Sequence, residues 1–242
     1  MLVLAIDTST PEVTAGVVAL RRPSELIAAL EAGEAARPVA VLAQRRVNDP
    51  RGHVEWLMPL VREALDAAGH TLRGLDAVVV GIGPGPFTGL RVGIATAAAL
   101  GDALDIPVYG VPSHDALARS LHPLSGDLLV VTDARRREVY LSAYRGDGHR
   151  VVGPLVLAPA AVPEVLAEHG VSAAHVTGAG ASLLIRTDAP ALAGPADAPA
   201  IGLVECAAAP LLTGAVPGPL VPMYLRRPDA TVPGARKSVL GR

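Results

Sequence analysis

Aromatic side chains are scarce in this sequence: one Phe, one Trp and four Tyr among 242 residues. So few flat π-faces exclude the extended stacking platforms by which single-strand binders hold bases. A basic surplus is missing too. The formal net charge is −2, whereas a protein that grips nucleic acid unaided carries excess Lys and Arg to displace counterions from phosphates. Any link to RNA is therefore expected to run through a partner. The single cysteine, Cys206, excludes an internal disulfide framework and a cysteine-built zinc site, and reads as a buried, inert thiol. No H-E-x-x-H occurs, which removes the usual zinc-peptidase helix. The N-terminal stretch MLVLAIDTST has no basic leader and reads as a strand ending at Asp7. One uncharged run, Cys206 to Leu225, has membrane-spanning length, but Pro210, Pro217, Pro219 and Pro222 interrupt it. The expectation is a soluble cytoplasmic protein with no membrane contact.

Half of the residues are hydrophobic, enough for one large domain or two lobes of roughly 100–120 residues each. Short β-rich runs at 2–7, 13–20 and 39–47 predict an antiparallel meander. The Ala- and Glu-rich segment 21–38 between them predicts a short surface helix or a mobile loop. A helix over 53–68, a strand over 77–83, a helix over 88–104 and a strand over 107–111 complete the first half.

That unit recurs in outline. AIDTSTPEVTAGVVA (5–19) and VTDARRREVYLSAYR (131–145) each end a strand on Asp, turn, and restart with Glu-Val: Asp7 with Glu12, then Asp133 with Glu138. Further on, VVGIG (79–83) is matched by HVTGAG (175–180), at a shorter spacing. The pattern predicts a duplicated α/β fold with a trimmed second copy.

AIDTST, GPGPFTGLRVGIA, DARRREVY and the terminal PMYLR (222–226) together resemble the bacterial TsaB (YeaZ) family, over nearly the whole chain from Leu2 to about Arg227. The resemblance implies an actin-like, sugar-kinase/Hsp70-type (ASKHA) fold of two ribonuclease-H-like lobes with central mixed sheets, the second truncated. It also implies partnership with the catalytic subunit TsaD and the ATPase TsaE in making threonylcarbamoyladenosine beside the anticodon of tRNAs. The lobes are placed at 1–111 and 112–227, with 228–242 as a flexible tail. A homodimer is an option where TsaD is absent.

The glycine-rich loop GIGPGPFTG (81–89) is not a phosphate cradle of a known kind. No lysine follows as a Walker loop requires, and the third glycine of a dinucleotide fingerprint is replaced by Pro86 or Thr88. Pro84 and Pro86 each remove an N–H from it. It reads as a stiff turn that aims the next helix, with Thr88 as N-cap. In that helix Gly89, Gly93, Ala97 and Gly101 fall four apart, a smooth stripe where another helix can come close. In the preceding one Val54, Leu57, Met58, Val61, Leu65 and Ala68 form an apolar stripe that Trp56, Leu60, Ala64 and Ala67 widen to about half the circumference. Packing within the lobe accounts for some of this. The predicted docking surface for a second chain comprises Val54, Trp56, Leu57, Leu60, Ala64, Ala67, Gly89, Gly93, Ala97 and Gly101.

Catalytic constellations are not found. In TsaD an H-x-x-x-H pair holds a metal; Ser113 and Leu117 stand at those places here, and leucine binds no metal. His114, beside Asp115 near a helix start, reads as capping or solvated. Asp7, Thr8, Ser9, Asp133, Gly178 and Gly180 are nucleotide-site candidates on the ASKHA pattern, in which strand-end acids meet Mg²⁺ and turns meet phosphates. An Asx turn explains the two acids equally well. No cofactor is expected to be required by this chain; ATP or ADP with Mg is an option for the complex. Arg135, Arg136 and Arg137 could meet tRNA phosphates within that complex. The rival readings are an active ASKHA ATPase or phosphotransferase and a glycoprotease-like metalloenzyme.

Overall fold

The computed structural model describes residues 1–184, 190, 192 and 200–226; the tail assigned to 228–242 lies outside them. Among the described residues the strands and α-helices follow one another in this order: β1 (Leu2–Asp7), β2 (Glu12–Leu20), α1 (Pro23–Glu31), β3 (Val39–Asn48), α2 (His53–Ala68), β4 (Ala77–Gly81), α3 (Phe87–Leu104), β5 (Val108–Val111), α4 (Ser113–Leu121), β6 (Asp127–Arg135), β7 (Glu138–Tyr144), β8 (Arg150–Leu157), α5 (Val162–Glu168), β9 (Ala173–Thr177) and α6 (Ala200–Thr213).

They build two sheets, ordered β3-β2-β1-β4-β5 and β8-β7-β6-β9. The first three strands of each half form an antiparallel meander, and β4 and β9 join their meanders in parallel. Among the described residues the second sheet repeats the first four strands of the first, the ASKHA duplication. Both strand-end acids make the same turn: Asp7 Oδ1 accepts the Ser9 N–H and Asp133 Oδ1 the Arg135 N–H, each at 2.7 Å.

The first sheet is covered on both faces, which is why its strands read as unbroken apolar runs rather than alternating ones. Leu4, Ile6, Val78 and Val80 point into the core beneath α2 and α3. Their neighbours Val3, Ala5, Ala77 and Val79 point the other way, onto Leu203, Val204 and Ala207 of α6. The C-terminal segment thus crosses the division drawn at residue 111. α6 lies late in the chain, yet its apolar surface completes the first lobe. It is helical through Pro210, which therefore does not break the uncharged run, while Pro217, Pro219 and Pro222 fall in an extended strap after the helix. No helix among the described residues is long and apolar enough to cross a membrane.

α4 joins the halves. Its Ala116 packs with the α6 side of the first sheet, and its Leu117 and Ala118 with Leu128, Val130 and Tyr144 of the second. α1 buries none of its residues. The surface helix expected within 21–38 is therefore present, and nothing in its own packing assigns it a role.

Candidate partner interface and inter-lobe cleft

α2 and α3 lie side by side on one face of the first sheet, and burial separates their inner from their outer sides. The glycine stripe of α3 faces inward. A Cβ on Gly89 would meet the Thr8 carbonyl, one on Gly93 the Thr8 hydroxyl, and one on Gly101 the Val108 side chain. The Thr8 hydroxyl donates to the Gly89 carbonyl at 2.7 Å and accepts the Gly93 N–H at 3.1 Å. The glycines thus let the helix settle onto the turn after β1, where they meet this chain and not another.

This corrects the docking surface. Leu57, Leu60, Ala64, Gly89, Gly93, Ala97 and Gly101 are all buried within the chain. A charge at Leu60, 3% exposed, would act on folding, not on association. Val54, Trp56 and Ala67 remain exposed, and the outer side of α3 adds Arg91, Ala95 and Ala99. The signal for the inward face was present: at 100° per residue Leu90 and Ile94 share it with the glycines, whereas Ala95 and Ala99 lie opposite. Trp56, 39% exposed, is held by its indole N–H, which donates to Asp49 Oδ2 at 3.2 Å. The Arg51 backbone N–H and this indole together hold the Asp49 carboxyl below its usual range. The α3 helix begins at Phe87 after Pro86, with no side-chain cap, so Thr88 does not have the capping role expected of it.

The nucleotide-site candidates separate in the same way. Asp7 is buried, and a Cβ on Gly81 would overlap its carboxylate. Thr8 is committed to α3, and Ser9 is buried beside Gly85. Gly178, with φ +96°, and Gly180 lie against the β6 backbone at Val131 and Thr132, so both serve close packing. Asp133 stays partly open, 3.8 Å from the Arg135 guanidinium.

His114 is not solvated. Its ring is fully buried, with Nδ1 2.9 Å from Ser142 Oγ and Nε2 2.9 Å from Thr132 Oγ1. Desolvation first, and Arg150 second, pull its pKa down to about 3. Ser113 Oγ accepts the Gly83 N–H at 3.3 Å and Leu117 sits in the core. Among the described residues no group of three or more His, Cys, Asp or Glu could hold a metal. Burial pushes the Cys206 thiol up to about 12, which keeps it protonated and unreactive at neutral pH.

The β6–β7 turn carries strain. Arg135, Arg136 and Arg137 all have positive φ, at 64°, 51° and 64°. Asn and Gly suit such a two-residue hairpin turn, and a side chain in the left-handed region costs on the order of 1 kcal/mol. Arg137→Gly should therefore stabilise the fold by roughly 0.5–1 kcal/mol, seen as a higher thermal midpoint by circular dichroism. An unchanged or lower midpoint would show that the turn is not strained.

The family model for tRNA N6-adenosine threonylcarbamoyltransferase (TsaD) matches residues 41–207. An uncharacterised protein of Mycobacterium tuberculosis is 48% identical over 228 residues, covering 94% of this chain and 93% of that protein. The tRNA threonylcarbamoyladenosine biosynthesis protein TsaB of Bacillus subtilis is 32% identical over 145 residues, 60% of this chain and 56% of its own length. Among solved structures, YeaZ from Pseudomonas aeruginosa superposes with a TM-score of 0.67 at 26% identity, covering 93% of this chain and 99% of YeaZ.

Proposed function

The chain belongs to the TsaB (YeaZ) family, and on that premise we propose that it is the non-catalytic scaffold of a complex that makes threonylcarbamoyladenosine on tRNA. The family places it in that biosynthesis; the scaffold role is the further step. In this reading it docks a TsaD-class transferase through the outer side of α2 and α3. The observation that carries the reading is the pairing of Trp56 and Val54, exposed apolar side chains, with the small outer residues Ala95 and Ala99. A small-residue ridge lets a partner helix approach closely, and a half-exposed Trp held in one orientation is a typical anchor. The burial of Asp7 and the engagement of Thr8 with α3 support a chain that performs no nucleotide chemistry of its own. Activation of the transferase then requires only that the surface fit its active conformation better than its inactive one. In the absence of the transferase a second copy of this chain covers the same side.

The test is a pair of outward charges, Val54→Asp with Ala99→Arg. Both sites are exposed, so the thermal midpoint should hold. Affinity for the transferase should fall at least about a hundredfold, as for loss of a central anchor. Co-elution as strong as wild type would remove the docking surface from this side. ATP turnover by the isolated chain would overturn the non-catalytic reading.

A further inference from the structure

We propose that the end of the molecule where α2 and α3 begin is a contact surface for single-stranded RNA. A base stacks on the Tyr224 ring there, and neighbouring phosphates meet Arg51, Arg135 and Arg137. This rests on the reading above that the complex acts on tRNA; the surface adjoins the outer docking side of the helices, meeting it at Trp56 and Arg91, while Tyr224, Arg51, Arg135 and Arg137 belong to it alone.

Scarcity of aromatics is a property of the whole chain, and the fold redistributes them. Tyr109, Tyr140 and Tyr144 are buried. The rest, Trp56, Phe87 and Tyr224, are exposed and gather at this end. Phe87 and Tyr224, 45% and 40% exposed, stack with ring centroids 4.8 Å apart. The Arg91 guanidinium lies 4.3 Å from the Phe87 centroid. The strap after α6 brings Tyr224 into place: the Met223 N–H donates to the Ile82 carbonyl at 2.8 Å, and Arg226 Nη1 to the Ala134 carbonyl at 3.0 Å. The ring pair is thereby moored beside the β6–β7 turn.

Charge follows the same asymmetry. The chain is negative overall, yet Arg51, Arg91, Arg135 and Arg137 are exposed here. The acids at this end include Glu12 beside Arg46, Asp49, which takes the Trp56 indole, Glu55 in the first turn of α2, Asp133 beside Arg135, and Glu138 beside Arg226. A pocket of about 340 Å³ opens between helix starts and turn, with Arg51, Thr88 and Arg135 in its lining. Three successive arginines occupy backbone positions that favour Asn and Gly.

Stacked rings ringed by guanidiniums suit unpaired bases and their phosphates, because every base offers a π-face and every linkage a charge. A duplex keeps its base faces covered, so a loop is the form that fits.

The probe is a fluorescent tRNA anticodon stem-loop, titrated by anisotropy at low salt into the full chain and into its complex with the transferase. Tyr224→Ala should weaken binding about tenfold, and Arg137→Gly should lower the slope of affinity against salt by about 0.7, one phosphate contact to a single strand. Arg137→Gly relaxes the turn, so its loss of binding would not reflect unfolding. Wild-type affinity in both variants, or no saturable binding by the full chain, would overturn the inference and leave the docking proposal standing. If Tyr224→Ala instead breaks co-elution with the transferase, the ring pair belongs to a protein interface and the RNA assignment fails. Loss of co-elution in the Val54/Ala99 variant with RNA binding intact would separate the two surfaces.

Discussion

Gly202→Ala is expected to cost the fold a net of about 1–2 kcal/mol, although the same change in an isolated helix would be favourable. Two effects compete. Gly202 lies within α6, where alanine is preferred over glycine by roughly 1 kcal/mol. Against that, a Cβ at this position would overlap the Ala116 carbonyl oxygen of α4. The obstacle is backbone, so no rotamer change can relieve it, and the helices must separate. Separation loosens α6 from the first sheet, where Leu203, Val204 and Ala207 cover one face. It also disturbs α4, which joins that sheet to the second. Overpacking of this sort costs about 1–3 kcal/mol, and here it outweighs the gain in propensity. Urea titration followed by circular dichroism reads the difference. Gly218→Ala is the control, since nothing lies within 4 Å of its Cβ position. If Gly202→Ala matches or exceeds wild-type stability, α4 and α6 do not cross as closely as described.

The crossing also shows where reading the sequence reached its limit. The meander, the fourth strand and the duplication were legible, because short β-rich runs and repeated Asp turns are local signals. That α6 covers the first sheet was not, since a helix apolar on most sides does not say which surface it covers. The same ambiguity affected α3. Two small-residue stripes run along it, and glycine suits close approach to a turn as well as to a partner helix. Nothing in the sequence showed that Thr8 would receive Gly89 and Gly93. The solvent face of α2 carries a clearer signal, with Glu55, Pro59, Arg62, Glu63 and Asp66 all exposed, because charges mark solvent less ambiguously than glycines mark a contact. The gathering of exposed aromatics was beyond reach: Tyr224 and Phe87 are far apart in sequence and meet only because the strap returns across β4.

His114 should make the protein lose stability as pH falls below about 6.5, at roughly 1.4 kcal/mol per pH unit. The neutral ring suits its site: one nitrogen donates and the other accepts, and the Ser142 and Thr132 hydroxyls can each take either role. A protonated ring would need two acceptors and would place a buried charge near Arg150. Burial, then Arg150, therefore lowers the folded-state pKa to about 3, whereas the unfolded ring titrates near 6.5. Between those limits the unfolded chain holds a proton that the folded chain does not. Stability from this group is thus complete above the upper limit and drains as pH falls toward the lower one. From about pH 7 to about pH 4.5 the loss attributable to His114 should reach roughly 3 kcal/mol. His114→Gln keeps a donor and an acceptor but cannot titrate. It should be less stable at neutral pH by about 1–2 kcal/mol, yet its stability should fall less steeply on acidification, by close to one proton. Subtracting the two pH profiles cancels the carboxylates common to both proteins. Equal slopes would mean that the folded ring accepts its proton near the ordinary pH, and the buried Thr132–His114–Ser142 bridge between α4 and the second sheet would have to be given up.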